Sequence, residues 1–190
     1  MMKKASKIKA VFLDRDGVLI KRHDLTWKKS QLGLQSGVAS FIKFLNKKQI
    51  PVIVVTNQPV VARGLITEDG VQELHKVLQK NLKKQGAFID KFYFCPHHPE
   101  ATLLAYRKKC KCRKPAIGMF QKAAKEFQID LKKSFMIGDM TQDILAGNKA
   151  GTKTILLKKG HKGKDGKYKA TPDFEFKNFK DILRELLRNI

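Results

Sequence analysis

The sequence lacks any apolar run long enough to cross a membrane. One of its longest runs, residues 50–55, falls far short of the roughly 20 apolar residues that a transmembrane helix needs. Residues 1–10 are basic, but they lack the apolar stretch of a secretory signal. These absences argue against a membrane or secreted protein, so we expect a cytoplasmic protein with no membrane partner.

Cysteine is also scarce. The chain has three cysteines, Cys95, Cys110 and Cys112. An odd number of cysteines in a cytoplasmic chain argues against a disulfide framework. Cysteine in such a chain is more typical of metal binding or of reactive thiol chemistry.

Acidic residues are few relative to basic ones. The chain has 17 Asp and Glu against 40 Lys and Arg, which gives a formal net charge of +23. A charge of this size raises the question of a nucleic-acid partner. The lysine pairs, however, are spread along the chain, at 3–4, 28–29, 47–48, 83–84, 132–133 and 158–159. Dispersed charge indicates a solvated surface that attracts anionic substrates, and it does not favour a nucleic-acid partner.

The length and composition fit one domain that spans residues 1–190. With 42% hydrophobic residues, a chain of 190 residues can bury a substantial core, and it is too short to require two domains. No internal repeat stands out. We expect a single domain and a monomer.

Five short apolar runs predict strands, and helical periodicity between them predicts helices. The strands are predicted at 10–13, 51–55, 91–94, 134–137 and 153–157. Ser36, Thr67 and Asn178 are predicted to cap helices, the first of which spans 34–50. The apolar face of the last helix is predicted to comprise Phe179, Ile182, Leu183, Leu186 and Leu187. This alternation predicts an α/β fold, a Rossmann-like parallel sheet flanked by helices.

Two segments are predicted to be loops. Residues 95–115 are long for an irregular segment inside a compact domain, which is typical of a functional loop or of one held by something other than a core. Residues 158–170 are rich in Gly and Lys, and we predict a flexible surface loop there.

Polar side chains follow three of the predicted strands. Asp14 and Asp16 come after the first strand, Thr56 and Asn57 after the second, and Asp139 after the fourth. The carboxyl ends of parallel strands share one edge of the sheet, where open α/β sheets bind ligands. Carboxylates beside a buried strand need a cation or hydrogen bonds to offset lost hydration and mutual repulsion. The alternative for the first pair alone is an Asp-Gly turn, in which Asp side chains bond the nearby backbone.

The oxygen ligands at this edge predict a Mg²⁺ site. We assign Asp14 and Asp139 as side-chain ligands and the backbone carbonyl of Asp16 as a third. Lys114, in the loop before the fourth strand, would help to attract a phosphate. Asp143 lies one helical turn after Asp139, and it would either orient the water ligands of the metal or favour the start of a helix through the helix dipole.

These side chains are suited to phosphoryl transfer. Asp14 would attack phosphorus in line and form an aspartyl phosphate. Asp16 would protonate the leaving oxygen and then accept a proton from the hydrolytic water. Thr56 and Asn57 would donate hydrogen bonds to the equatorial oxygens, where charge develops. We therefore predict a magnesium-dependent phosphomonoester hydrolase.

The cysteines predict a second metal. Cys95 and His97 form a C-x-H pair, Cys110 and Cys112 form a C-x-C pair, and twelve residues separate the two pairs. Three thiolates and one imidazole can surround a tetrahedral Zn²⁺, and four protein ligands make a closed, structural site. His98 is predicted to be a loop residue rather than a fifth ligand. This segment, residues 95–112, is called the zinc loop below.

Four segments resemble the four successive motifs of haloacid dehalogenase (HAD) phosphatases, in the same order and with matching spacing. They are VFLDRDG at 11–17, VTNQ at 55–58, RKP at 113–115 and GDMTQD at 138–143. The resemblance extends from residue 10 to about 157. It implies a HAD-like fold, here without a large cap domain, and the chemistry described above.

The zinc loop, together with residues 56–58 and 62–64, resembles the bacterial D-glycero-D-manno-heptose 1,7-bisphosphate phosphatases and the closely similar histidinol-phosphatase group. The resemblance implies that Arg113, Asn57 and Gln58 contact the substrate, and that Lys114 stabilises the transferring phosphoryl group. It implies a small phosphorylated sugar as substrate, from the pathway that builds the lipopolysaccharide core. Two features depart from this group: Met140 stands where it often has Lys, and residues 21–25 lack its Gly-Tyr pattern. Arg22 or His23 is a candidate for the replacement contact.

Three alternatives stay open at this point. Histidinol phosphate is the nearest rival substrate. A polynucleotide 3′-phosphatase would share the Asp-x-Asp and Thr-Asn-Gln motifs and would suit a basic chain, although the zinc loop argues against it. A binding protein without catalysis is disfavoured, because Asp14, Asp16, Lys114 and Asp139 are all present.

Overall fold

A six-stranded parallel sheet lies at the centre of the computed structural model, which describes residues 9–189 of the chain. The strands are β1 Val11–Leu13, β2 Val52–Asn57, β3 Lys91–Cys95, β4 Phe135–Gly138, β5 Lys153–Leu157 and β6 Phe174–Phe176. Their spatial order is β3-β2-β1-β4-β5-β6, and every neighbouring pair is parallel. The predicted Rossmann-like sheet is therefore confirmed.

Helices connect the strands and cover both faces of the sheet. They are α1 Val38–Lys47, α2 Pro59–Ala62, α3 Glu68–Lys83, α4 Gly118–Glu126, α5 Thr141–Ala150 and α6 Phe179–Asn189. Short 3₁₀ turns lie at Lys29–Gln31, Leu104–Tyr106 and Leu131–Lys133. Within the described chain, no helix is both long and apolar enough to span a membrane.

Alternate residues of the strands face two separate hydrophobic clusters. Val11 and Leu13 of β1 pack on one face with apolar residues of α1, α3 and α6. Phe12 packs on the other face with Phe120 of α4 and Ala146 of α5. Because successive side chains of a strand point to opposite faces, β1 needs apolar residues at every position.

The strand order places one crevice at the centre of the sheet. From β1 the chain moves outward to β2 and β3, and later returns to the other side of β1 with β4. Adjacent strands at such a reversal leave a crevice beyond their carboxyl ends, which is where open α/β sheets bind ligands. Asp14 and Asp139 follow β1 and β4, and the Asp14 amide donates to the Ile137 carbonyl at 3.0 Å.

Two of the three predicted helix caps are confirmed. Thr67 Oγ1 accepts a hydrogen bond from the Gly70 amide at 3.1 Å, and Asn178 Oδ1 accepts one from the Asp181 amide at 2.9 Å. The cap predicted at Ser36 is wrong. Gly37 occupies that position with a φ of 82°, and no side chain caps α1.

The edge of the sheet also differs from the prediction. The sequence analysis missed β6, because its three residues, Phe-Glu-Phe, are too short a run to show a period. Leu187 was predicted to lie on the apolar face of α6, but it is exposed, whereas Phe179, Ile182 and Leu186 are buried. Strand β2 continues through Asn57, so the polar residues predicted to follow it are its last two.

Candidate active site and metal centre

A buried ion-pair network forms the floor of the crevice. Lys114 Nζ lies 2.9 Å from Asp14 Oδ1 and 2.7 Å from Asp143 Oδ1, and it also donates to the Val55 carbonyl at 2.7 Å. Burial lowers the pKa of Lys114, but the charges of Asp14 and Asp143 outweigh this effect and hold that pKa above its usual value. Lys114 is therefore a buried cation between two carboxylates.

Asp139 completes the acidic cluster. Carboxylate oxygens of Asp14, Asp139 and Asp143 all lie within 4.8 Å of one another. Asp139 is fully buried, and its Oδ1 has no hydrogen-bond partner among the residues that the structure describes. Burial, followed by the charges of Asp143 and Asp14, raises the pKa of Asp139 to about 8. Three carboxyl groups thus share two nearby cations, Lys114 and Arg22, and a divalent cation would reduce the repulsion that keeps the pKa of Asp139 high.

Two glycines let the backbone approach Asp139. Gly17 has a φ of 93°, and a Cβ built on it would collide with the Asp139 carboxylate. Gly160 has a φ of 57°, and a Cβ built on it would collide with the same carboxylate. The adjacent His161 amide donates to Asp139 Oδ2 at 2.9 Å. A larger residue at either position would displace the Asp139 carboxylate, so both positions require glycine.

A clamp of neighbouring side chains holds Asp16. Gln58 Nε2 donates to Asp16 Oδ2 at 2.8 Å, and Arg15 Nη2 lies 2.9 Å from the same oxygen. Arg15 Nη2 also donates to Gln58 Oε1 at 2.7 Å, so the three side chains form a closed ring. Burial alone would raise the pKa of Asp16, but the charge of Arg15 and several hydrogen bonds outweigh it and lower that pKa.

Thr56 and Asn57 hold other parts of the site. The Asn57 amide donates to the Lys114 carbonyl at 3.0 Å, and Asn57 Oδ1 accepts from the Lys114 amide at 2.9 Å. Asn57 Nδ2 also lies 3.2 Å from Gln142 Oε1. The buried Thr56 hydroxyl accepts from Gln58 Nε2 at 2.9 Å. Asn57 thus fixes the backbone of the residue that carries the buried ammonium.

A cavity of about 200 Å³ opens above these residues. Asp14 and Asp16 line it, together with Arg22 and His23 from the segment after β1. Arg22 Nη1 lies 3.4 Å from Asp139 Oδ2 and 3.5 Å from Met140 Sδ. The segment that departs from the family pattern therefore forms part of the cavity wall and supplies a cation beside Met140.

The outer wall of the cavity is basic. It includes Arg63 after α2, His98 and Arg113 around the zinc loop, and Lys167 of the 158–170 loop. Burial, together with the charges of Arg113, Lys167 and Arg63, lowers the pKa of His98. His98 Nδ1 accepts a hydrogen bond from the Glu100 amide at 3.1 Å.

The 158–170 loop packs against the start of α5. Asp165 accepts hydrogen bonds from the Thr141 amide at 2.8 Å and from the Thr141 hydroxyl at 2.7 Å. The Gly163 amide donates to the Asp139 carbonyl at 2.8 Å. The flexibility of this loop stays a prediction, but its contacts make it a part of the site.

The predicted zinc ligands converge at the end of β3. The Sγ atoms of Cys95, Cys110 and Cys112 are 2.9–3.5 Å apart, and His97 Nδ1 lies 3.7 Å from Cys95 Sγ and 3.4 Å from Cys112 Sγ. Four donor atoms this close together form the donor set of a tetrahedral zinc site, whose sulfur–sulfur edges would be somewhat longer, at about 3.8 Å. His98 is not in the cluster, as predicted. The contact between Cys112 and Cys95 lowers the pKa of Cys112 to about 5, which favours a thiolate that a metal can bind, and it raises the pKa of Cys95, so one proton is shared by the pair.

The metal cluster is joined to the basic wall. Arg113 follows Cys112 directly, and its Nη1 donates to the His97 carbonyl at 3.0 Å. An ion bound by the four ligands would therefore fix both ends of this hydrogen bond. The structure thus connects the cysteine cluster to the segment that carries Arg113 and Lys114.

Sequence reasoning missed three residues of the site. Arg15 was not singled out, although it is fully buried and bound to Asp16 and Gln58. Its position between two aspartates was the available signal, since a charge there needs partners when buried. Asp165 and Lys167 lie in a segment without hydrophobic periodicity, so no pattern related them to the strand ends.

Comparisons with known proteins agree with this geometry. A family model described as HAD-hydrolase-like matches residues 111–182. The chain is 42% identical to a D-glycero-β-D-manno-heptose-1,7-bisphosphate 7-phosphatase from Rhodopseudomonas palustris over 151 residues, which cover 80% of this chain and 84% of that protein. It is 37% identical to a D-glycero-α-D-manno-heptose-1,7-bisphosphate 7-phosphatase from Photorhabdus laumondii over 157 residues, 82% of this chain and 86% of that protein.

A solved structure shows the same architecture. The D,D-heptose 1,7-bisphosphate phosphatase from B. bronchiseptica, complexed with magnesium and phosphate, superposes with a TM-score of 0.83 and 26% identity. The alignment covers 96% of this chain and all of that chain. With this identity and coverage to its relatives, the chain belongs to the D-glycero-D-manno-heptose-1,7-bisphosphate 7-phosphatase family of HAD-like hydrolases.

Proposed function

We propose that this protein is a magnesium-dependent phosphatase that removes the 7-phosphate from D-glycero-D-manno-heptose 1,7-bisphosphate, a precursor of the lipopolysaccharide core. The names of its relatives support the substrate. The observation that carries the chemistry is the position of Asp14, which faces the cavity while Lys114 lies 2.9 Å behind it. The predicted monomeric state and cytoplasmic location stay predictions.

The acidic cluster fits a magnesium ion. The side chains of Asp14 and Asp139 and the Asp16 carbonyl would hold it, and the unpartnered Asp139 Oδ1 is a ready oxygen ligand. When bound, the ion would offset the negative charge of the cluster and of the substrate phosphate. The relative complexed with magnesium and phosphate supports this choice of metal.

Asp14 is the nucleophile in this proposal. One of its carboxylate oxygens forms a bond to phosphorus while the bond between phosphorus and the C7 oxygen of the sugar breaks. Asp16 has to carry a proton when the substrate is bound, against its lowered pKa in the free site, and it donates that proton to the leaving oxygen, so the product is the heptose 1-phosphate. Water then attacks the aspartyl phosphate, Asp16 accepts its proton, and Asp14 is restored as inorganic phosphate leaves.

Other residues hold the reacting groups in place. Lys114 supplies the counter-charge of Asp14 and stabilises the transferring phosphoryl group. The Thr56 hydroxyl is assigned a hydrogen bond to an equatorial oxygen. Asn57 and Gln58 were predicted to contact substrate, but their hydrogen bonds suit a positioning role, Asn57 on Lys114 and Gln58 on Asp16.

The zinc loop is assigned a structural role. Cys95, His97, Cys110 and Cys112 would hold Zn²⁺ with no open coordination position. Arg113 would contact the substrate from the end of this loop, since it lines the cavity. Arg22 is the second candidate contact, because it lies in the cavity wall beside Met140.

The test is phosphate release from a substrate panel, measured with Mg²⁺ and with EDTA. The panel comprises both anomers of the heptose bisphosphate, histidinol phosphate and a 3′-phosphorylated oligonucleotide. We expect magnesium-dependent release from a heptose bisphosphate and a loss of at least about a thousandfold in kcat for Asp14→Asn. Activity of Asp14→Asn at the parent rate would overturn the mechanism. Preference for histidinol phosphate or for the oligonucleotide would overturn the substrate assignment.

A further inference from the structure

Four side chains form a wall that two cavities share. The catalytic cavity meets a second cavity of about 480 Å³, and Arg63, His98, Arg113 and Lys167 line both. These residues come from three separate segments, which are the end of α2, the zinc loop with its flank, and the 158–170 loop. The second cavity therefore extends the catalytic cavity past the group that reacts.

The cations of the shared wall form no ion pairs with described residues, although Glu100 also lines the second cavity. Within the described part of the chain, Arg63, Arg113 and Lys167 have no carboxylate within 4.0 Å of their charged nitrogens. Arg63 and Lys167 are exposed, so their charged ends can reach a ligand in either cavity. Converging cations of this kind attract and bind a phosphate.

The loop that carries Lys167 is fixed at a definite place. Asp165, two residues earlier, accepts two hydrogen bonds from Thr141, and the Tyr168 amide donates to the Thr141 hydroxyl at 3.1 Å. These bonds lie on both sides of Lys167 in the sequence. The loop backbone is therefore held at the start of α5, directly after Asp139 and Met140.

A bisphosphate substrate needs positive charge at two places in the site. When the phosphoryl group that reacts lies against Asp14, the second phosphate lies at the other end of the sugar and still needs counter-charge. Met140 lines the catalytic cavity and has no hydrogen-bond donor in its side chain, and the cation beside it, Arg22, lies 3.4 Å from the Asp139 carboxylate. The basic wall lines the catalytic cavity together with Asp14 and continues into the second cavity, so it offers counter-charge to a second phosphate of the same substrate.

We propose that Lys167, with Arg63, forms an anion subsite for the phosphate that is not cleaved, and that Asp165 is the residue that positions Lys167. This subsite rests on the proposed function, since it assumes a sugar with two phosphates. It gives the Lys-rich loop a role in selecting bisphosphates over monophosphates. Arg113 lines the same two cavities and is the third cation of this wall.

The test compares heptose 1,7-bisphosphate with heptose 7-phosphate, which lacks the second phosphate. The measured quantity is the ratio of kcat/KM for the bisphosphate to kcat/KM for the monophosphate. In Lys167→Ala we expect this ratio to fall roughly tenfold, mainly through KM, because one charge-assisted hydrogen bond is lost. Asp165→Ala should lower it in the same direction. The matched control is Lys164→Ala, an exposed lysine of the same loop that lines neither cavity, for which the ratio should equal that of the parent.

Binding of the product provides a second measurement that does not depend on turnover. Heptose 1-phosphate keeps the second phosphate, so calorimetry should show weaker binding to Lys167→Ala than to the parent or to Lys164→Ala. Turnover by the parent with an unchanged ratio and unchanged product binding in Lys167→Ala would overturn the subsite alone. Failure of the parent both to hydrolyse the bisphosphate and to bind the product would overturn the proposed function and the subsite together.

Discussion

The ammonium group of Lys114 lies 2.9 Å from the carboxylate of Asp14, although the two residues are 100 positions apart in the sequence. Both side chains are almost completely buried. The contact exists because β1 and the loop before α4 end at the same edge of the sheet, and because Asn57 holds the Lys114 backbone there. One ion pair thus links the proposed nucleophile to the rest of the fold.

Removal of the Lys114 charge is expected to reduce both stability and activity. In Lys114→Met the carboxylates of Asp14 and Asp143 lose their buried counter-charge, which should lower the free energy of unfolding by about 3–5 kcal/mol. The kcat should fall at least about a hundredfold. Urea denaturation in magnesium-free buffer and steady-state kinetics measure the two effects.

The control is Lys125→Met, on the exposed face of α4, which should change the unfolding free energy by less than about 0.5 kcal/mol. Parent-like stability of Lys114→Met would contradict the buried ion-pair network.

Asn57→Ala is expected to lower kcat without a matching rise in KM. The substitution removes both hydrogen bonds to the Lys114 backbone, so the ammonium group should lose its fixed position. We expect a fall in kcat of about tenfold or more and a change in KM of about twofold or less. Steady-state kinetics on the preferred phosphomonoester measures both. A raised KM with parent kcat would instead indicate that Asn57 contacts the substrate.

The chain offers a matched control for this substitution. Asn46 bonds the backbone of Phe88 in the same two-way manner, donating to its carbonyl at 3.1 Å and accepting from its amide at 2.9 Å. Asn46 lies on α1, far from the catalytic cavity. Asn46→Ala should therefore cost a similar number of hydrogen bonds and leave kcat and KM at parent values.

The sequence alone predicted those parts of the site whose positions depend on local residue patterns. The strands that end at Asp14 and Asp139 are short apolar runs, and each aspartate breaks its run abruptly, so their shared edge followed from strand parallelism. The spacing of Cys95, His97, Cys110 and Cys112 also predicted that these four side chains converge. The hydrogen bonds from Arg15 and Gln58 to Asp16 could not be predicted. Gln58 is 42 positions from Asp16, and its contact depends on how β1 and β2 pack. The position of Asp165 against Thr141 depends in the same way on a loop whose sequence has no period.

The cysteine cluster is expected to hold one zinc ion per chain. Elemental analysis of purified protein should give about one equivalent of zinc, and Cys112→Ser should lose most of it. His98→Ala is the control, because His98 is next to His97 but lies outside the cluster, and it should retain the metal. Less than about half an equivalent in the parent would count against a tightly held ion.

Loss of this zinc should lower both thermal stability and activity. The cluster ties the end of β3 to the segment that carries Arg113 and Lys114, and an ion that binds only the folded chain stabilises it. Thermal unfolding before and after chelation should show a lower Tm in the zinc-free protein. Readdition of Zn²⁺ should restore the Tm, whereas Mg²⁺ should not, because thiolates favour zinc.

The last prediction concerns the dependence of stability on pH through His75. This residue of α3 is buried, stacks on Phe92 with ring centres 4.5 Å apart, and finds no hydrogen-bond partner for its Nε2 within residues 9–189. Burial, and then the charge of Arg15, lowers the pKa of His75 to about 3, against 6.5 as its ordinary value. Between these two values the unfolded chain binds a proton that the folded chain does not, so stability falls as the pH is lowered through this range, by up to about 1.4 kcal/mol per pH unit. Above about pH 7.5, His75 is neutral in both the folded and the unfolded chain, and its contribution vanishes.

His75→Phe keeps an aromatic ring and cannot titrate. Its unfolding free energy relative to that of the parent should therefore rise by about 2 kcal/mol when the pH is lowered from 7.5 to 5.0. His23→Gln, which changes an exposed histidine, should leave that difference near zero. A His75→Phe difference that is the same at both pH values would contradict a buried, neutral His75.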